Sequence, residues 1–196
     1  MLTTSSVPQD TSRRNFLGRG SGLLLSGAAI ALLAGNSRLA AAATSNPVDD
    51  VGILNVALAL EHQGIAAYQL GAESGLLQKP VLDVAVLFQS HHKAHRDALI
   101  ATIQKMGGKP VASRTNADYA DALGAAGLKS QKDVLNLAAG LELGATNAYL
   151  SVIPAFASKD LSKVAARLAS DETMHWTFLT NALGRPLPVA ALTFGA

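Results

Sequence analysis

The chain of 196 residues contains no cysteine. That absence excludes a disulfide framework, a thiol nucleophile and any thiolate metal site, so a bound metal must be held by carboxylates and imidazoles. Aromatic residues make up only 5% of the chain, and alanine and leucine dominate, a composition that favours helices. No serine sits in a nucleophile-elbow context, which leaves ordinary nucleophilic catalysis without a candidate. No uninterrupted apolar run approaches the ~20 residues of a membrane span. The longest, Gly20 to Leu33, is diluted by glycine and serine and predicts no stable membrane anchor.

The first 43 residues read as an address. Residues 12 to 17 are Ser-Arg-Arg-Asn-Phe-Leu, the weakly apolar run follows, and small residues gather at Ala40 to Ala43 in an Ala-x-Ala context. The ordered pattern resembles a twin-arginine signal peptide. That resemblance implies the twin-arginine export machinery as a partner, a periplasmic or otherwise exported destination, and a cargo that folds before crossing. A mature domain then spans residues 44–196. Removing Arg13, Arg14, Arg19 and Arg38 from 16 basic residues, and Asp10 from 14 acidic ones, leaves 12 and 13. The mature protein is thus near −1, with no basic patch for nucleic acid.

Four helices are predicted. The first, Pro47 to Gly71, carries Leu54, Leu58, Glu61, Ile65 and Tyr68 on one stripe, with Glu61 its only charge. The second, Val81 to Met106, carries Ala85, Phe88, His92, His95, Leu99 and Ile103, and Gly107, Gly108 and Pro110 stop it. Residues 108 to 130 lack sustained periodicity apart from a short turn around Tyr119 to Leu123. A link of that length can run back along ~40 Å helices as a long crossover. The third helix starts at a Ser130 cap, with Asp133 in capping-box position, and Pro154 ends it near Ile153. Its stripe is Leu135, Ala138, Glu142, Ala145 and Tyr149. The fourth, Leu161 to Leu183, aligns Ala165, Leu168, Glu172, His175 and Leu179, and an extended tail is expected to lie against the bundle.

The helices repeat in pairs. At an offset of 81 the third helix matches the first: Leu135 with Leu54, Asn136 with Asn55, Glu142 with Glu61, Tyr149 with Tyr68. At an offset of 80 the fourth matches the second: Ala165 with Ala85, Glu172 with His92, His175 with His95, Leu179 with Leu99. Each half is a helical hairpin with a glutamate on its first helix and two ligand-type residues three apart, hence on one face, on its second. A pseudo-two-fold axis would bring Glu61, His92, His95, Glu142, Glu172 and His175 into one core. The mature chain has four glutamates and five histidines, and six of those nine are these positions. Burying three carboxylates with no cation costs several kcal/mol each or protonates them; a shared metal centre removes that cost.

The order Glu, two-ligand motif, Glu, Glu-x-x-His over four helices resembles the ferritin-like superfamily of carboxylate-bridged di-iron or di-manganese proteins. Within it the chain is most similar to the exported ferritin-like domain family, which includes bacterial proteins and plant desiccation-related proteins. The resemblance covers about Val48 to Leu183. It implies an all-α antiparallel four-helix bundle with a long crossover between helices two and three, and two ions of iron or manganese as cofactor, zinc being less favoured. Glu61 and Glu142 match the single carboxylates, Glu172 and His175 the complete motif, and His95 the first-hairpin histidine.

His92 departs from that pattern, which has a bridging glutamate there. Four carboxylates balance two divalent ions, whereas three leave +1, and an imidazole does not bridge two metals as a carboxylate does. One ion, two weakly held ions, or an imidazole-tolerant ion such as zinc are the alternatives. A one-residue shift rotates a helix face by ~100°, so the pattern also leaves open whether His91 or His92 reaches the core. His91 matches Asp171, and both are expected beside the ligand face. His62 has no symmetric role and is expected at the surface or satisfied elsewhere. Tyr68, Tyr149 and Trp176 are expected to pack, the tyrosines with a hydroxyl hydrogen bond.

The function this implies is an exported metal protein with oxygen, peroxide or ferrous-iron oxidation chemistry. The alternative is a non-catalytic envelope stress or scaffold protein with a structural metal or none. A homodimer is compatible with either. Iron storage needs a many-subunit cage, of which the sequence carries no sign.

Overall fold

The computed structural model of the protein describes residues 47–194, so the leader assigned to residues 1–43 lies outside the described residues. Four long helices and one short one follow in order: α1 (Pro47–Glu73), α2 (Lys79–Lys105), α3 (Asn116–Ala122), α4 (Gln131–Val152) and α5 (Lys159–Ala182). There is no strand among the described residues. None of their helices is long and apolar enough to cross a membrane.

The boundaries follow local chemistry. Helix α2 begins two residues earlier than the apolar stripe predicts, because Pro80 fits the first turn, where its missing N–H costs nothing. Its end is a left-handed glycine cap: Gly107 has φ 77°, its N–H donates to the Gln104 carbonyl at 2.9 Å, and Gly108 donates to Ile103 at 2.9 Å. Helix α5 ends the same way at Gly184, with Arg185 donating to Thr180 at 3.0 Å. Ser130 caps α4 as expected, accepting from the Asp133 N–H at 3.2 Å. The short Asp133 carboxylate takes the Lys129 N–H at 3.0 Å rather than that of Ser130, so the reciprocal half of the box is displaced by one residue. A complete capping box forms instead at Thr115 and Asp118, which start α3. Pro154 ends α4 at Val152, where the chain tightens into a 3-10 turn, Ile153–Ala155.

Helices α1 and α2 form one hairpin and α4 and α5 the other, and the hairpins meet through α1 on α4. Each first helix also holds the exit of its own hairpin. Asn55 accepts from the Val111 N–H at 2.7 Å and donates to the Lys109 carbonyl at 3.2 Å, while its repeat partner Asn136 accepts from Arg185 at 2.7 Å. The crossover lies over α1, burying Tyr119 and Leu123 against Ala66 and Ala67. His62 is buried there and is satisfied by the Val111 carbonyl at 3.2 Å.

The core has two apolar layers. One gathers Leu54, Leu58, Leu99, Ile103, Tyr149 and Leu168, the other Tyr68, Phe88, Leu135 and Leu179. Between them lies a layer of six buried glutamates and histidines, with hydrocarbon on both sides along the bundle axis. The tail meets the expectation only in part: Phe194 packs on Trp176 with ring centres 4.5 Å apart, but Val189 and Leu192 project into solvent.

Candidate metal centre

All six residues singled out by the repeat meet in the middle layer. Glu61, Glu142, Glu172 and His175 are each no more than 1% exposed, and His92 and His95 are also buried. They form two groups of four, Glu61, His92, His95 and Glu172 in one, His92, Glu142, Glu172 and His175 in the other. Within each group the ligand atoms all lie within 4.8 Å of one another. His92 and Glu172, the positions equated by the repeat, belong to both groups. His92, not His91, therefore faces the core.

The imidazole of His92 spans the layer. Its Nδ1 lies 2.8 Å from Glu61 Oε2 and its Nε2 3.2 Å from Glu142 Oε1. Gly64 lies against the ring, where an added Cβ would lie 3.1 Å from Nδ1 and 3.2 Å from Cε1. In the repeat Gly64 corresponds to Ala145. His95 Nδ1 lies 3.2 Å from Glu172 Oε1, and His175 Nδ1 lies 3.1 Å from Glu172 Oε2 and 3.5 Å from Glu142 Oε2.

The outer nitrogens of the two repeat-related histidines are held across the hairpins. Asp171 of α5 accepts from His95 Nε2 at 3.1 Å, and His91 of α2 meets His175 Nε2 through its Nδ1 at 2.9 Å. These two contacts are images of each other under the repeat, and each turns an Nδ1 inward. The tyrosines cross in the same manner. Tyr68 donates to Glu142 Oε1 and Tyr149 to Glu61 Oε1, so each hydroxyl restrains the glutamate of the opposite half. Phe88 stacks on His175 with ring centres 4.1 Å apart and closes the apolar side.

Electrostatics tie the layer together. Burial opposes the charged ring of His95, but the Glu172 and Glu61 carboxylates beside it overturn that and raise its pKa to about 10. His92 and His175 are raised against the same burial, His92 by Glu142 and Glu61 and His175 by Glu142 and Glu172. Burial works to raise Glu61 and Glu142 too, and the surrounding imidazoles overcome it and hold both below the usual carboxylate range. Glu172 goes the other way, because burial outweighs its histidine partners and Glu61 repels its charge. Burial and the neighbouring His175 lower His91, which suits it as a neutral acceptor.

The donor set fits a metal. Buried His95 Nδ1, Glu142 Oε2 and Glu172 Oε1 point into the layer without a hydrogen-bond partner. Leaving such atoms unpaired costs ~1–3 kcal/mol each, and a cation would satisfy all three. Hard carboxylates with imidazoles suit iron, manganese or zinc. Gly64 and Thr146 escaped the sequence reading. Gly64 could have been found from its pairing with Ala145 beside a ligand stripe. Thr146, fully buried with its hydroxyl unpartnered, had no signal, since its repeat counterpart is Ile65.

Comparisons with known proteins agree with the geometry. The Ferritin-like domain family matches residues 49–185, well over half of the chain. No curated protein matches. Among solved structures, the crystal structure of a conserved hypothetical protein from Mycobacterium tuberculosis superposes with a TM-score of 0.59 at 22% identity, covering 73% of this chain and 96% of that one. That likeness concerns the fold. On the family match the chain belongs to the ferritin-like domain family.

Proposed function

We propose that the protein is exported by the twin-arginine route and holds two divalent ions, iron or manganese, in the bundle core for reaction with oxygen or peroxide or for ferrous-iron oxidation. The observation that carries this reading is the pair of four-residue ligand groups sharing His92 and Glu172. A bound pair of such ions supplies Lewis acidity and one-electron steps. The chain's own residues supply the rest. Asp171 and His91 fix the rings of His95 and His175 with Nδ1 inward. Tyr149 and Tyr68 each hold one oxygen of Glu61 and Glu142, which leaves Glu142 Oε2 directed into the layer. The apolar layers above and below exclude water and strengthen every charge interaction between them. Solvent approaches where α2 and α5 face each other through His91 and the partly exposed Asp171. The twin-arginine leader and the kinship with exported and desiccation-related proteins rest on sequence resemblance.

The test is elemental analysis of untagged protein from cells supplied with iron and manganese, beside a Glu142→Ala/Glu172→Ala variant. About two equivalents of iron or manganese per chain, lost in the variant, are expected for a shared bundle site. Metal-loaded protein that neither oxidises ferrous iron nor consumes peroxide above the variant would leave a structural or scaffold role. No metal in either protein would end the metal reading altogether.

A further inference from the structure

Among the positions where the first hairpin differs from the second around the ligand layer, three lie at or beside the ring of His92. His92 stands where the repeat has Glu172, His91 where it has Asp171, and Gly64 where it has Ala145. A degenerate site would show a lost ligand and a collapsed or water-filled gap. This one shows a larger ligand in a cradle cut to receive it. The ring of His92 runs past Gly64 so closely that a single methyl group there would sit 3.1 Å from Nδ1 and 3.2 Å from Cε1. Those separations force the ring to shift, and both neighbouring glutamates are already pinned by tyrosines.

The cradle also fixes which way the ring points. One nitrogen is directed at the glutamate of α1 and the other at the glutamate of α4, at 2.8 and 3.2 Å. Those glutamates belong to different ligand groups, Glu61 to one and Glu142 to the other. A histidine that served one ion would need only one nitrogen inward and would offer the second to a backbone carbonyl, a carboxylate outside the layer or solvent. Here neither nitrogen leaves the layer.

We propose that His92 bridges the two ions, one ring nitrogen to each, in the place where the second hairpin carries Glu172, and that Gly64 is the residue that admits it. The inference rests on the two-ion reading above. A neutral imidazole has one lone pair free in the ring plane, so bridging uses its anion: starting from the ring that shares a proton with each flanking glutamate, both ring N–H protons pass to solvent, and an ion takes the place of each. The charge then closes. Glu61, Glu142, Glu172 and the imidazolate carry four negative charges against two divalent ions, and the +1 left by three carboxylates disappears. A further consequence is metal choice. Two ions joined through a five-membered ring stand farther apart than two joined through a carboxylate, and the ring favours ions that accept nitrogen readily.

Zinc(II) alone serves as the probe, because it accepts imidazole and carboxylate and has no redox chemistry to complicate the measurement. Protein stripped with a chelator is titrated calorimetrically with zinc, and crystals of the loaded protein are examined by anomalous diffraction at the zinc edge. Two ions per chain in solution, with one anomalous peak at ~2.0–2.1 Å from Nδ1 and another at the same distance from Nε2, are expected. Gly64→Ala should weaken the second ion by about 10-fold or more, as displacing a ligand's support does. His92→Glu, which restores the repeat's residue, should keep two ions with the peaks closer together. His92→Glu keeps a ligand-type side chain in the cradle, so it serves as the test if His92→Ala fails to fold. Two peaks with only one nitrogen in bonding range overturn the bridge and leave the two-ion reading standing. A single ion, or an ion seen only at crystal concentration, overturns both.

Discussion

The two hairpins place the same backbone around the site and load it differently. The second keeps Asp171 and Glu172 in sequence with His175, so a carboxylate faces the shared centre and another carboxylate reaches outward to His95. The first puts imidazoles in both places, with His92 in the shared position and His91 reaching to His175. The contacts have survived the exchange of chemistry, since each outer partner still meets the same nitrogen of the opposite histidine. A pseudo-symmetric bundle can thus alter charge at one position of a site while its geometry is held by residues that did not change, among them the crossed tyrosines and the two asparagine latches.

The strongest way to break the comparison is to remove the carboxylate common to both ligand groups. Glu172→Ala should abolish binding of both ions, whereas His95→Ala should lose one, as elemental analysis will read directly. Without metal, the same Glu172→Ala variant leaves buried imidazoles short of a counter-charge and should lose ~3–5 kcal/mol of stability in a denaturant titration, the range for breaking a buried pair. Equal metal loss in the two variants would show that the halves do not act as separate positions.

The outer partners give a finer contrast. Asp171→Ala should weaken metal affinity by about 10–100-fold, and His91→Asp, which gives the first hairpin the second's residue, should strengthen it by up to about 10-fold. Calorimetric titration distinguishes these, and no change in either variant would reduce both contacts to packing.

The last contrast is read through pH, in the metal-free protein. His95 titrates at about 10 in the folded protein against an ordinary value of 6.5, so the stability it contributes is complete below pH 6.5 and drains away as pH rises through 10. Glu142 and Glu61 are depressed from 4.5, so their contribution is present above pH 4.5 and is lost as pH falls. Chelator-treated protein should therefore melt highest between pH 4.5 and 6.5, with its Tm declining on either side. With metal bound, the alkaline decline between pH 6.5 and 10 should disappear, because the ion holds the imidazoles in place of the proton. An alkaline decline unchanged by metal would mean that His95 does not ligate.

Much of this was legible in the sequence for a physical reason. The periodic stripes of α2 and α5 are buried at every predicted position, including Ala85, His92, Leu99, Ala165, Glu172 and Leu179. A polar residue on such a stripe must find a partner inside, so six glutamates and histidines on four stripes had to meet. The tyrosine hydrogen bonds were legible, but not their partners. Spacing along one helix says that Tyr68 shares a face with Glu61, and only the three-dimensional crossing shows it serving Glu142 instead. The stripe favoured His92 over His91, but a one-residue shift of ~100° would have exchanged them, and only the packed structure fixes that register. Gly64 left only an indirect signal, its pairing with Ala145 in the repeat, and that pairing says nothing of the ring that approaches it.

The crossed tyrosines also impose an order on synthesis. As the chain leaves the ribosome, the first hairpin emerges with Glu61, His92 and His95 together, but the hydroxyl that restrains Glu61 belongs to Tyr149, which does not yet exist. The second hairpin's Glu142 in turn depends on Tyr68, made long before it. Neither hairpin holds a finished half of the centre. A nascent or truncated chain ending before Tyr149 would carry these glutamates and histidines without their restraints, so on the metal reading proposed above stable capture would wait until the last two helices have been made and docked.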